Sequence, residues 1–373
     1  MTTLTTARGR PFALVWLSLV LVPLAVVTAS VTRLHKRHLS TLAAEWSARG
    51  DIAYRAGLAG DAVDDFRSAL MYARDDRALR LKLARALVAA GRRAEARGYL
   101  LTLWEDEPGD GPVNLELGRV AARDGDIAEA TRYYHAAIEG AWESEAEQRR
   151  RESRLELVDY LVSAGDTTRA RPELIALSAD IPDDVALRKT VASLLARVGQ
   201  TTSAQAAYEQ VLAAAPNDTE ALRGAGEAAF RSGEYTAAAR YLARAIARGE
   251  SSPDVMRDAA IAQLVVDVDP SQRRLSASAR AMRASRAFDA ASARVTACLT
   301  LHPESDDLHT LSSRMAEIAP RAQQRSLRGH PDDVETVMDT VFDVETATAR
   351  RCGNPAGIDR ALYLIAPART VQQ

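Results

Sequence analysis

Between residues 43 and 252 apolar positions recur at the short interval of amphipathic helices and again at a much longer one. The longer period is set by Gly57, Gly91, Gly125, Gly165, Gly199 and Gly233, whose spacings are 34, 34, 40, 34 and 34 residues. Five residues after each glycine stands an alanine: Ala62, Ala96, Ala130, Ala170, Ala204 and Ala238. Nine residues after it comes a bulky side chain: Phe66, Leu100, Tyr134, Leu174, Tyr208 and Leu242. Seven residues before it are Gly50, Ala84, Gly118, Val158, Ala192 and Gly226, all small but one. This pattern predicts pairs of antiparallel helices. The first small residue lets the two helices approach, the glycine makes the turn, and the alanine and bulky residue fill the seam. Pro108, Pro182 and Pro216 end three of the units, because proline cannot continue a helix. One such pair cannot bury its apolar face alone, so copies must stack.

These residues resemble the tetratricopeptide repeat (TPR) family, whose unit is a helix–turn–helix. Trp46, Gly50, Tyr54, Gly57, Ala62, Phe66 and Ala69 follow its pattern, as do Leu117, Gly118, Gly125, Ala130, Tyr134 and Ala137. The units run 43–76, 77–110, 111–144, 151–184, 185–218 and 219–252. The resemblance implies an all-α solenoid, a right-handed superhelix of helix pairs. Residues 145–150 depart from the pattern as an insertion, and Arg74, Trp142 and Glu250 stand where a closing proline is expected.

Ahead of the repeats, residues 11–32 contain no charged side chain. A run of this length spans a hydrocarbon core of about 30 Å, which predicts one transmembrane helix after a tail at 1–10 and before a linker at 33–42. The alternative is a cleaved secretory signal, with small residues at Val27-Thr28-Ala29 and a helix break at Pro23. Basic residues flank both ends, so charge alone does not orient the segment. The simplest topology keeps the tail inside and places the bulk of the chain outside the cytoplasm, in a bacterial envelope; the opposite orientation is the alternative.

After residue 252 the period weakens. Residues 253–328 read as a degenerate repeat and helical cap, with a helix from Pro253 to Leu264, a break at Val265–Pro270, a long helix near Arg273–Leu301 and another from Leu308 to about Ser326. Residues 329–373 read as a terminal segment packed on that cap, with a helix starting at Pro331 and a stripe of Val334, Val337, Met338, Val341 and Phe342. Cys298 and Cys352 are the two cysteines. They read either as one disulfide tying the terminal segment to the cap or as two buried thiols.

Composition sharpens this picture. The 373 residues include 72 alanines, and only three of the 48 basic residues are lysine, so helix formers dominate. A net charge of -2 argues against a nucleic-acid binder. No phosphate loop, nucleophile signature or metal-ligand pair is present, so neither cofactor nor catalysis nor a small-molecule substrate is expected. His330-Pro331-Asp332-Asp333 is similar to the zinc-binding signature of LmbE-like de-N-acetylases. It lacks the preceding buried strand and any later histidine, and reads as a helix start.

What remains is the groove that the family resemblance implies. Its ligand-facing first-helix positions here include Tyr54, Arg55, Lys82, Arg85, Arg119, Arg123, Lys189, Arg197, Arg223, Phe230 and Arg231. Glu116, Glu156 and Glu227 are interleaved with them. Such a groove suits an extended or helical peptide of some acidic character. Ser47 and Asp51 stand where the family's chaperone-tail clamp begins, so that clamp is absent. The sequence thus reads as a membrane-anchored scaffold for protein or peptide partners in envelope or membrane-complex assembly. The alternatives are a cytoplasm-facing assembly factor and, more remotely, an enzyme with its site in residues 253–373.

Overall fold

A computed structural model describes the backbone of residues 11–182 and 184–370, and the side chains of all of these except 11–18, 20 and 367–370. Among the described residues no strand occurs, only an isolated parallel bridge between Asp110 and Ala141. The chain forms two compact units, Met1–Leu161 and Val162–Gln373.

The first unit holds α1 (Pro11–Arg55), α2 (Ala59–Tyr72), α3 (Arg77–Ala89), α4 (Arg93–Asp106), α5 (Gly111–Asp124), α6 (Ile127–Glu139) and nearly all of α7 (Ala146–Ser163). The first helices α3 and α5 each begin at an aspartate of the same repeat position. Asp76 accepts from the Leu79 N–H at 2.9 Å and Asp110 from the Val113 N–H at 3.0 Å. Caps of this kind contribute about 1 kcal/mol each. Each helix pair then turns at its glycine. Gly57, Gly91 and Gly125 lie at φ of 77°, 77° and 80°, the left-handed region that side chains avoid. The Gly91 N–H donates to the Val88 carbonyl and the Arg92 N–H to the Leu87 carbonyl, which satisfies the last carbonyls of α3.

Packing follows the same register. Phe66 and Val63 of α2 share one buried cluster with Leu83, Ala86 and Leu87 of α3. One repeat later, Leu100 and Leu103 of α4 pack with Leu117, Val120 and Tyr133. The small residues are needed where they stand: a Cβ on Gly50 would meet the Phe66 ring at 2.7 Å.

The second unit continues the scheme with α8 (Thr167–Ala179), α9 (Val185–Arg197), α10 (Thr201–Ala214), α11 (Thr219–Arg231), α12 (Tyr235–Ala247) and α13 (Pro253–Val268). Gly165, Gly199 and Gly233 again have positive φ, of 78°, 77° and 81°. Beyond them lie α14 (Ala277–Leu301), α15 (Asp306–Ile318), α16 (Gln324–Gly329), α17 (Asp333–Cys352) and α18 (Gly357–Thr370), which share one buried cluster.

Several expectations change. Residues 33–42 are not a linker; they are helical and continuous with the first repeat inside α1. Pro23 does not break that helix, although it removes one backbone donor. The insertion at 145–150 is helical from residue 146 and lengthens the start of α7, which has 18 residues where α3 has 13. Val265 and Val268, expected in a break, are buried and extend α13. The helix expected over 308–326 is divided, because Pro320 has no N–H to continue α15. Among the described residues no helix is long and apolar enough to cross a membrane. The span expected at 11–32 includes residues 11–18 and 20, whose side chains lie outside the described ones, and the tail at 1–10 lies wholly outside them.

The terminal helices are tied by a disulfide between Cys298 of α14 and Cys352 of α17, with Cα atoms 5.9 Å apart. One turn before Cys298, Arg294 reaches Glu345 at 3.3 Å and Asp359 at 3.4 Å, and donates to Thr348 Oγ1 at 2.8 Å. Glu345 is wholly buried, and neither carboxyl oxygen accepts a hydrogen bond. Burial, with Asp359 adding to it against Arg294, pushes the Glu345 carboxyl up to about 8.

Two predictions follow from this packing. In urea unfolding, Gly226→Ala loses about 1–3 kcal/mol, because its Cβ would meet Leu242 at 2.4 Å. Gly98→Ala, in open space on α4, instead gains about 0.5–1 kcal/mol. A loss at both positions would contradict the crossing role of Gly226. Second, a carboxyl with a raised native pKa leaves the folded state holding more protons than the unfolded one between pH 4.5 and 8, so its contribution falls as pH rises through that window. Thermal melts should therefore show Glu345→Gln removing that slope and raising the melting temperature at pH 8.5; an unchanged slope would exclude Glu345 as its source.

Candidate functional site

The first helices of successive pairs lie close enough for side chains one repeat apart to meet. In the first unit this builds a ladder of opposite charges across four helices. Lys82 of α3 donates to Asp51 of α1 at 2.7 Å and to Ser47 Oγ at 3.1 Å. Arg85 of α3 donates through Nε to Glu116 of α5 at 2.9 Å. Arg119 of α5 donates through Nη1 to the same Glu116 oxygen at 2.9 Å, and through Nε to Glu156 of α7 at 2.9 Å. Glu116 is 4% exposed, so two guanidinium groups hold one nearly buried carboxylate. The hydrogen bond that Arg119 donates to Glu156, with the charge of Glu116, holds Arg119 above its ordinary range. Beneath it Tyr134 packs on Gly118, and burial raises its hydroxyl pKa.

The second unit carries a shorter version. Lys189 of α9 lies 3.2 Å from Asp218 and 2.8 Å from Glu220 of α11. Arg223 of α11 meets Glu227 at 3.1 Å and Glu250 at 3.6 Å. Phe230 is half-buried edge-on to Tyr235, with ring centres 5.5 Å apart.

The groove residues expected from sequence therefore divide. Lys82, Arg85, Arg119, Lys189 and Arg223 are bound to acidic neighbours and are not free cations. Tyr54, Arg55 and Arg123 are exposed in the first unit, and Arg197 and Arg231 in the second. Arg55 donates to the Asp51 carbonyl of its own helix at 3.1 Å, and Arg123 to that of Arg119 at 3.5 Å. The acidic members Asp51 and Asp218 were not among the expected groove residues. Their signal was available: Asp51 stands 31 residues before Lys82, and Asp218 stands 29 after Lys189, each about one repeat away.

A second ladder joins second helices. Arg67 of α2 donates to Glu95 of α4, and Arg97 of α4 to both oxygens of Glu129 of α6 at 2.6 and 2.7 Å. Cys298 and Cys352 belong to the terminal cluster, not to this face. His330 sits in the turn before α17, its Nδ1 3.3 Å from the Ser326 carbonyl. Among the described residues no group of three His, Cys, Asp or Glu side chains is placed to hold a metal ion.

Neutralising Glu116 tests the ladder. Glu116→Gln frees Arg85, leaves Arg119 held by Glu156 alone, and costs about 1–3 kcal/mol because charged donors lose their buried acceptor. A labelled ten-residue polyglutamate should bind this variant at least about fivefold more tightly than the native chain. Equal binding would mean that the arginines are already available.

The family comparison matches residues 53–114 and 190–253 to the Tetratricopeptide repeat. No curated protein matches the chain. Among solved structures, YrrB, described as a TPR protein with an unusual peptide-binding site, is 18% identical; the match covers 51% of this chain and 95% of that one, with a TM-score of 0.41. PilW, a type IV pilus biogenesis factor, is 16% identical over 57% of this chain and 96% of its own, at 0.42. The C-terminal part of a TPR repeat-containing protein from Cytophaga hutchinsonii is 12% identical over 70% and 97%, at 0.46. Glycine-closed helix pairs fill both matched stretches, so it is residues 53–114 and 190–253 that match the Tetratricopeptide repeat in sequence and in backbone turn alike.

Proposed function

We propose that this protein is a non-catalytic scaffold that binds a protein or peptide partner on the face of its first helices. The observation that carries the reading is the ladder Asp51–Lys82, Arg85–Glu116–Arg119–Glu156. It fixes long side chains that would otherwise lose freedom on binding, so a partner meets a prearranged surface. Because the ladder alternates in sign, the partner it suits is a segment carrying both charges or backbone groups to hydrogen-bond, in place of the acidic peptide that the arginines alone suggest. Tyr54, Arg55 and Arg123 are the exposed groups beside it.

The anchor belongs to the same reading. Residues 11–32 carry no charge, and the described side chains from Leu21 to Val31 are all exposed. If that stretch lies in a bilayer, the unbroken α1 holds the first repeat on a rigid stalk of about 15 Å, the length of ten helical residues, from 33 to 42. We place the bulk of the chain on the extracytoplasmic side of a bacterial envelope, in the assembly of a membrane complex.

The test uses the full chain, recovered from its own membranes with bound partners identified by mass spectrometry. The triple variant Tyr54→Ala, Arg55→Glu and Arg123→Glu should lose its specific partners while keeping its melting temperature. Recovery of the same set by both proteins would refute binding on this face. Deleting residues 11–32 should move the chain from the membrane pellet to the supernatant, and retention in the pellet would exclude the anchor.

A further inference from the structure

Each later pair of the first unit is covered on the side facing the pair before it. Leu83, Ala86 and Leu87 are fully buried against α2, and Leu117, Val120 and Ala121 occupy the same repeat positions at 1% exposure or less. In the first pair these positions are Arg49, Ile52 and Ala53; Ala53 is buried against its own pair, and among the described residues no preceding helix pair covers the other two. Ile52 is 61% exposed and Leu58 is 54% exposed. They floor a cleft of about 410 Å³ between α1 and α2, rimmed by Arg49, Asp61, Asp64 and Asp65.

The acidic rim is tied to the repeat as well. Asp61 stands four residues after its glycine, as do Glu95 and Glu129. Glu95 receives Arg67 from the second helix of the preceding pair, and Glu129 receives Arg97 from the next. No described residue pairs with Asp61. Asp65, by contrast, has Arg49 at 3.6 Å, and Asp64 has Arg67 at 3.9 Å.

We infer that this open end is a second binding site, separate from the first-helix face, and that it takes one amphipathic helix of a partner protein. The occupant lies where a preceding second helix would lie. Its apolar stripe covers Ile52 and Leu58, and an arginine or lysine one turn away reaches Asp61, as Arg67 reaches Glu95. Charge complementarity selects a basic helix: Asp61 and Asp64 are both exposed at the rim.

The probe is a fluorescein-labelled peptide of residues 93–107, which carries Arg97, Leu100 and Leu103 and makes the corresponding contacts two repeats along within the fold. Gly98→Ala in the peptide raises its helix content. Anisotropy titration against the full chain in lipid nanodiscs should show saturable binding. Ile52→Glu should weaken it at least about tenfold by placing a charge on the apolar floor. Asp61→Arg should weaken it about fivefold, and an Arg97→Glu peptide should recover affinity for that variant alone. Absence of saturable binding, equal affinity for the two variants and the native chain, or no recovery by charge reversal overturns the inference. So does a concentration-dependent dimer in sedimentation velocity that Ile52→Glu dissolves, since the occupant would then be a second copy.

Discussion

A pair of short antiparallel helices has two apolar faces and only one internal seam, so it is stable only when a neighbour covers what the seam leaves bare. The rest of the structure depends on that constraint. It puts an alanine or glycine at every crossing but that of Val158 and a left-handed glycine at each turn, and it places Leu83 and Leu117 at 1% exposure or less against the pair before them. Side chains one repeat apart are thereby brought within bonding distance, which is why Arg85 finds Glu116 and Arg97 finds Glu129. The charge ladders are a consequence of stacking and do not by themselves create it, since most of their members are partly exposed and exposed pairs contribute little.

The constraint also explains the two ends of the chain. Near the C-terminus the stack passes into α14 to α18, where Phe288, Val337 and Leu362 join one cluster and a disulfide fixes α14 to α17. In the first unit the opening pair receives no such cover. Its position-equivalents of Leu83 and Tyr99 are Arg49 and Asp65, polar residues that tolerate solvent, yet Ile52 and Leu58 stay apolar and exposed.

The repeat itself was legible in the sequence because its signals are local. Gly57 to Gly233 mark turns through backbone conformation, and Gly50 or Gly226 mark crossings through lack of a side chain. The stripe from Val334 to Phe342 was legible for the same reason, as a helical period inside one element. Less legible were features that depend on a partner one repeat away. Arg85 and Arg119 looked like ligand-facing cations because composition along one helix does not show that Glu116 sits between them on the face. Asp61 gave no signal alone; it gains meaning only beside Glu95 and Glu129, whose arginines reveal what it lacks. Pro320 divides a stretch whose apolar spacing runs straight through it, whereas residues 33–42 hold no glycine or proline and stay helical between two segments.

The central claim is that each pair draws its stability from neighbours on both sides, and that the first pair has, among the described residues, a neighbour on one side only. Native-state hydrogen exchange of the full chain, followed by mass spectrometry, measures this directly. Amides of α2 should exchange at least about tenfold faster than those of α5 and α6, because end repeats lose one interface of stabilisation. Protection in α2 equal to that in α6 would contradict the account, since it would mean that the first pair is either covered or stable alone.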